Sequence, residues 1–486
     1  MKHWLMALCA TALVGCSDMP AKTSNRVLPW TESKELVVLV QNSPTTLYVD
    51  ADGEYAGLEY DLVTRFAEAQ GLKLRFVMES DYHAILERLA RHQAHLAVGV
   101  HRDDERERLA FGPEYQQVQP VLVYPARVPE RQALAQLNAG TAMVKTLPQY
   151  LQPLNQYKTK QPGFTWRLID DADAEGLIEG VASGQYDYVV VDSHLAAVAQ
   201  NYFPNVAIAK PFSAEQALAW AVPRDDAQLT ARVTAFFNSA QSDKTLARLI
   251  DRYYGHLNRV GPIDALAFLG KRETVLEQYR HWFQQAEDKT GIDWRLIAAL
   301  SYQESHWNPA AVSAYGVRGL MMLTTDTANR LGVNRLDPYQ SIQGGARYMK
   351  MMVDAMPAHI AEPDRTWLAL AAYNVGIGHL SDARILARRL NKNPDSWADL
   401  KTVLPLLRDP KYFSTLRFGY ARGGEPVAFV ETLRTYYDIL ARFEEPYKPD
   451  APVLAADVEI HNPDNLPLRI NNRVVPAKPP MVQAAL

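Results

Sequence analysis

One glutamate in this sequence stands where a carboxylic acid can stay protonated near neutral pH. Behind Asp293, a residue type that caps helix N-termini, Ile297, Leu300, Ser301 and Glu304 recur at helical spacing. Pro309 cannot continue a helix and disfavours helical geometry at Asn308, so Glu304 falls near the helix C-terminus on the inward stripe. Burial and the negative end of the helix dipole both penalise the charged carboxylate. A glutamate held neutral in this way is equipped to protonate a poor leaving group such as a glycosidic oxygen. The plainer reading of a solitary glutamate on an apolar stripe is a stem packed on the core, with its carboxylate paired to Arg318 or Arg347.

Downstream stand Ser313, then Gly316-Val317-Arg318-Gly319-Leu320-Met321-Met322, and later Ala372-Tyr373-Asn374. Gly316 and Gly319 allow close backbone approach to a ligand. Tyr373 and Asn374 offer a flat ring and an amide suited to a sugar face and an N-acetyl group. In this order Glu304-Ser305, Gly319-Leu320-Met321-Met322 and Ala372-Tyr373-Asn374 resemble the motifs of the goose-type lysozyme and soluble lytic transglycosylase family. The resemblance implies that Glu304 is the catalytic acid and that Ser305, Ser313, Gly319, Met321, Met322, Tyr373 and Asn374 line the glycan. Two positions depart from the family: Met322 stands where a glutamine is usual, and Phe429 where a tyrosine is usual. The second departure removes a hydroxyl near the acid, for which Tyr420 is a candidate replacement.

No second acid stands in a comparable motif, and Asp326, Asp337 and Asp364 lie in helix-start or turn contexts that favour capping. One acid suffices if the substrate supplies the nucleophile. The resemblance implies that Glu304 protonates the oxygen between N-acetylmuramic acid and N-acetylglucosamine in peptidoglycan. It then acts as base for the muramyl 6-hydroxyl, which closes a 1,6-anhydro ring. A hydrolytic muramidase of goose-lysozyme type and a non-catalytic glycan- or peptide-binding lipoprotein are the other readings the residues leave open.

The elements that must position these residues occupy only part of the chain. A length of 486 residues calls for more than one domain. A net charge of −4 gives no bulk attraction to nucleic acid. The two cysteines, Cys9 and Cys16, both precede any folded region, so no intramolecular disulfide is expected. Met1-Lys2-His3 and the apolar run from Trp4 to Val14 read as a secretory signal, too short to span a bilayer. Leu13-Val14-Gly15-Cys16 resembles the bacterial lipoprotein box, which implies cleavage after residue 15 and diacylation of Cys16. Ser17 after it implies the periplasmic face of the outer membrane. Residues 16–33 are polar and read as a tether.

From 34 to 258 short apolar strands alternate with helices, giving two α/β lobes with crossovers near Tyr124-Pro125 and Trp220, a clamshell suited to a small ligand. Gly57-Leu58-Glu59-Tyr60-Asp61-Leu62, Glu105-Arg106, Phe111-Gly112-Pro113-Glu114-Tyr115 and Gly184-Gln185-Tyr186-Asp187-Tyr188 before Asp192 resemble the periplasmic solute-binding proteins for amino acids. That likeness implies that Arg106 clamps a ligand carboxylate and that Asp192 meets its ammonium. The loop before Arg106 departs from the family, with His95 and Gly99-Val100-His101 in unusual places, so Arg102 and Arg108 are alternative clamps. A wall-derived muropeptide or stem peptide is the expected ligand.

From 259 to 448 the period is helical almost throughout, as an all-α lysozyme-like domain requires. Residues 449–486 carry scattered prolines and read as a loose tail. His281, His306, His359 and His379 lack metal-ligand spacing, so neither metal nor cofactor is expected. The expected architecture is thus multidomain: a two-lobed α/β periplasmic-binding-protein-like clamshell followed by an all-α lysozyme-like domain. The combination behind a lipoprotein signal resembles membrane-bound lytic murein transglycosylases.

Overall fold

Leu36 to Val40 are all buried, as a strand covered on both faces by helices must be. The computed structural model describes residues 26–41, 43–49, 55–103, 106–169, 172–211, 213–313 and 316–447, with strands Val458–His461, Leu468–Ile470 and Arg473–Val475. The signal segment, Cys16 and the Asp50-Gly53 turn lie outside these residues.

In the first lobe β1 (Glu35–Val40) pairs in parallel with β2 (Lys73–Met78) and β3 (Leu96–His101). Helices α1 (Leu58–Gln70) and α2 (Tyr82–Ala90) make the crossovers. A short strand, β4 (Leu109–Phe111), precedes the second lobe. That lobe has its own sheet of β5 (Pro120–Pro125), β6 (Val144–Thr146), β7 (Trp166–Leu168), β8 (Tyr188–Asp192) and β9 (Val206–Ile208), in the order β7-β6-β8-β5-β9. Helices α3 (Ala174–Ser183) and α4 (Ser193–Tyr202) flank β8. The chain returns as β10 (Gln216–Pro223), antiparallel to β3 and β4. Its Trp220 is wholly buried among Phe66, Phe236 and Phe237.

The crossovers fall earlier than Tyr124-Pro125 and Trp220, between Val118 and Pro120 and between Ile208 and Gln216. Tyr124 is locked inside β5, which is buried along its whole length in the second lobe, and Trp220 inside β10.

Both ends of the expected tether and tail need correction. The chain is already docked at Val27, whose N–H donates to His92, and Trp30 is buried with its indole N–H on Asp226 at 2.9 Å. At the other end, β11 (Val458–His461) pairs in parallel with β2 and extends the first-lobe sheet. An edge strand offers a row of unpaired amides, and a segment with alternating Val458 and Ile460 can take them up despite nearby prolines.

The helical domain begins after α5 (Thr245–Tyr254) with α6 (Pro262–Lys271), a helix not anticipated because Ile263 and Leu266 lie exposed and blur its stripe. Pro262 at its first position suits a helix start. There follow α7 (Glu277–Thr290), α8 (Trp294–Ser305), α9 (Pro338–Asp354), α10 (Asp364–Val375), α11 (Trp397–Val403) and α12 (Gly424–Phe443). Asp337 caps α9 by accepting from the Gln340 N–H, as its context predicts. The core around α8 is shared with the clamshell, since Val198 and Tyr202 of α4 pack in the same cluster as Phe268, Trp294 and Trp307.

Candidate active site and interlobe cleft

Helix α8 starts where expected, with the Asp293 carboxylate accepting from the Arg295 N–H, but stops at Ser305, ahead of Pro309. His306 and Trp307 both take left-handed conformations, φ 51° and 56°. Trp307 is buried and turns back so that its indole N–H donates to the Ala298 carbonyl at 2.9 Å. This burial, not the proline, ends the helix and leaves Glu304 on its last turn.

Glu304 is half-buried, and among the described residues neither Arg318 nor Arg347 pairs with it. Arg347 instead donates to the Gln343 and Leu331 carbonyls. Burial alone pushes the Glu304 carboxyl from its ordinary 4.5 up to about 8. No neighbouring carboxylate contributes to that rise, and no hydrogen bond among the described residues holds the acid. Phe429 is buried in the core, and Tyr420 lies exposed with its ring against Phe413. Neither supplies the hydroxyl expected there.

The segment from Ser313 to Leu323 forms a wall tied to α8. Ser301 and Ser305 hydroxyls both donate to the Leu320 carbonyl, at 3.1 and 2.9 Å. The Ser341 hydroxyl accepts from the Met321 N–H at 3.2 Å. Gly319 has φ 87°, and a Cβ there would stand 1.9 Å from the Arg335 carbonyl oxygen, so only glycine fits. Met321 is fully buried against Gly345. Its carbonyl accepts from the Tyr373 hydroxyl at 2.9 Å.

Ser305, Ser313 and Met321 therefore hold this wall: Ser305 is buried on backbone carbonyls, and Ser313 accepts from the Val317 N–H at 3.1 Å. Met322, half-buried at φ 46°, and the exposed Asn374 are left with side chains available at the surface. Tyr373 is close enough to Glu304 that the acid's charge adds to burial in raising the phenol well above its usual range. Its ring packs on Tyr348 at 5.0 Å. Sequence reasoning put Ser301 on the inward stripe without a role at the site and missed Ser341 and Tyr348, which sit in a helix with no motif around them.

A cavity of about 620 Å³ lies between the two lobes. Asp192, at the end of β8, lines it as expected; Arg106 does not. The Arg106 guanidinium turns to Asp103 at 3.2 Å, and Arg102 and Arg108 are exposed away from the lining. In place of an arginine, His101 at the end of β3 reaches across the lobes, its Nε2 2.9 Å from Asp192 Oδ2. Burial works against both charges, but their attraction prevails: the Asp192 carboxyl is lowered and the His101 imidazole raised. Glu59 also lines the cleft, accepting from the Tyr115 hydroxyl and from the Trp220 indole at 2.8 Å. Burial pushes it up to about 7. His101 was visible in the sequence as an oddity of its loop, but its partner on the other lobe was not.

Fold and site define a lytic transglycosylase that carries a solute-binding domain. A family model described as "Transglycosylase SLT domain" matches residues 281–396, and "Bacterial extracellular solute-binding proteins, family 3" matches 36–256. A membrane-bound lytic murein transglycosylase F of Nitrosospira multiformis is 44% identical over 450 residues, 91% of this chain and 94% of its own. A protein of the same name from Methylobacillus flagellatus is 42% identical over 459 residues, 93% of this chain and 96% of its own. The chain belongs to the membrane-bound lytic murein transglycosylase F family. Among solved structures, an ancestral arginine-binding protein bound to arginine gives a TM-score of 0.40 at 19% identity, over 46% of this chain and 98% of its own. A mutant ArgBP from T. maritima gives 0.41, also at 19% identity, over 46% and 96%.

Proposed function

We propose that this lytic transglycosylase cuts the β-1,4 bond between N-acetylmuramic acid and N-acetylglucosamine without water, leaving a 1,6-anhydromuramyl end. The observation that carries the reading is one acid, Glu304, raised by burial with no second carboxylate among the described residues acting on it. Hydrolysis by paired carboxylates needs a second acid on the opposite side of the sugar. With one acid, Glu304 donates its proton to the glycosidic oxygen as the C1–O bond breaks. The resulting carboxylate takes the proton of the muramyl 6-hydroxyl, whose oxygen bonds to C1. The acid is restored and no water enters. Met322, Tyr373 and Asn374 flank the glycan in this reading, and Gly319 keeps the wall packed on the Arg335 carbonyl. Digestion of purified peptidoglycan followed by mass measurement tests it: each new end should be one water lighter than a muramidase product.

The same reading places the enzyme on the periplasmic face of the outer membrane, held by lipid on Cys16. Among the described residues no helix is long and apolar enough to cross a membrane. The clamshell serves as a sensor of wall-derived peptides. What supports this is that α12 touches both lobes and α8. Its Arg434 donates to the Arg252 carbonyl at 2.7 Å, and its Arg442 meets Glu175 of the second lobe. Its Tyr436 packs on Tyr302 of α8 at 4.9 Å. Titrating stem peptides against lytic rate tests the sensing.

A further inference from the structure

We propose that an exposed basic and aromatic surface beside the lytic site, built by the helix Ile377–Arg389 and the loop from Lys411 to Phe418, grips the acidic peptide stems of the glycan strand being cut. The inference deepens the reading of the lytic site and rests on it in taking Asn374 to border the glycan.

The surface adjoins Asn374. Gly376 closes α10 two residues after it and opens the next helix, Ile377–Arg389. Phe418, 50% exposed, lies over the start of that helix, where a Cβ on Gly378 would stand 2.7 Å from its ring. The loop is held there by Asp382, which is buried and accepts from the Arg417 and Phe418 N–H groups at 3.2 and 2.7 Å. At the far end of the helix Arg389 donates to the Thr415 hydroxyl at 2.9 Å, so helix and loop form one continuous face.

Charge identifies the partner. From Gly376 to Arg422 nine lysines and arginines stand against four aspartates, in a chain whose net charge is −4. Those aspartates are engaged: Asp382 is buried under the loop, Asp395 pairs with Arg384, Asp399 pairs with Arg248, and Asp409 accepts from the Lys411 N–H. Arg388, Arg389, Lys411 and Arg417 are exposed and make no ion pair among the described residues. The Arg417 guanidinium lies 5.4 Å over the Phe418 ring. Uncharged sugar rings give such cations nothing to pair with. The peptide stems of murein carry free carboxylates, which guanidinium and ammonium groups grip. One exposed pair contributes little, and several on one face add.

The test compares peptide-bearing glycan strands with strands stripped of their stems by an amidase. The full chain in detergent and its triple variant Arg388→Gln, Lys411→Gln, Arg417→Gln each cut both substrates, with melting temperature as the control for folding. The wild type should favour peptide-bearing strands by about tenfold in kcat/KM, and the variant should lose most of that preference through KM, not kcat. Raising salt from about 0.05 to about 0.5 M should erode the wild-type preference and barely move the variant's. A variant that keeps the wild-type preference, or that loses rate equally on both substrates, overturns the proposal. Equal cutting of both substrates by the wild type, with the variant altered only in how phosphatidylglycerol vesicles change its rate, assigns the face to lipid and also overturns it. Product mass keeps the two readings apart. Hydrolytic products with a stem preference that the variant loses overturn the anhydro reading alone, and anhydro products without any stem preference overturn the surface alone.

Discussion

Arg442 of α12 and Glu175 of α3 form an ion pair between the helical domain and the second lobe, Nη1 to Oε1 at 2.5 Å, with side chains 6% and 4% exposed. Arg442 also lies over the rings of Tyr202 and Phe203. Glu175 is flanked by Ala174 and Gly176, both of which line the interlobe cleft. One residue thus separates a cleft wall from the helix that packs on α8.

Removing one partner of a buried pair leaves an uncompensated charge and typically costs about 3–5 kcal/mol. Arg442→Ala should therefore lower the melting temperature, while the double change Arg442→Met, Glu175→Leu should recover most of it. If the pair transmits cleft closure, both variants should lose the effect of cleft ligands on lytic rate while the double variant keeps its basal rate. A double variant that responds to ligand like the wild type removes the pair from the path.

Glu304→Gln should keep the fold and lose about 10²–10⁴-fold in lytic rate, because the amide fills the same space and has no proton to give. Turbidity clearance of purified cell wall, with melting as the control for folding, measures it. Retention of more than about a tenth of the activity would mean that another group is the acid.

The pH dependence of Glu304 has a definite sign. Its carboxyl is raised from 4.5 to about 8 in the folded protein, so between these values the native state holds a proton that the unfolded chain has released. Stability from this group is fully present below pH 4.5 and is lost as pH rises through about 8. Glu304→Gln carries no such titration. Its melting temperature should match the wild type in acid and exceed it increasingly toward pH 9, by about 2–4 °C per kcal/mol for a domain of this size. Lytic rate should fall over the same upper limb, since only the protonated acid can donate.

Cys16→Ala should release the protein from the membrane fraction or leave it unprocessed. A diacyl group supplies two chains, enough for stable attachment where one chain is marginal. Membrane fractionation with immunodetection decides it, and a variant processed and sedimenting as the wild type does would refute lipidation.

The helix that carries Glu304 was legible in the sequence because it depends on local rules. Asp293 caps, the apolar stripe faces inward, and a glutamate on that stripe near a helix end is driven toward its neutral form. The alternation of strands and helices likewise announced two lobes, because a run such as Leu36 to Val40 has no other economical fate than a doubly covered strand. Contacts between segments distant in sequence were not legible. Whether Arg106 or His101 faced Asp192 depended on which side of one loop turned into the cleft, and both are ordinary polar residues in the chain. Trp30 looked like tether because its partner, Asp226, is remote in sequence, and Val458–His461 looked like tail because an edge strand's appetite for a partner is invisible until the sheet exists. That neither Arg318 nor Arg347 nor any other described residue pairs with Glu304, so that burial sets its proton, is a property of the packed domain: only tertiary structure removes water and withholds the countercharge together.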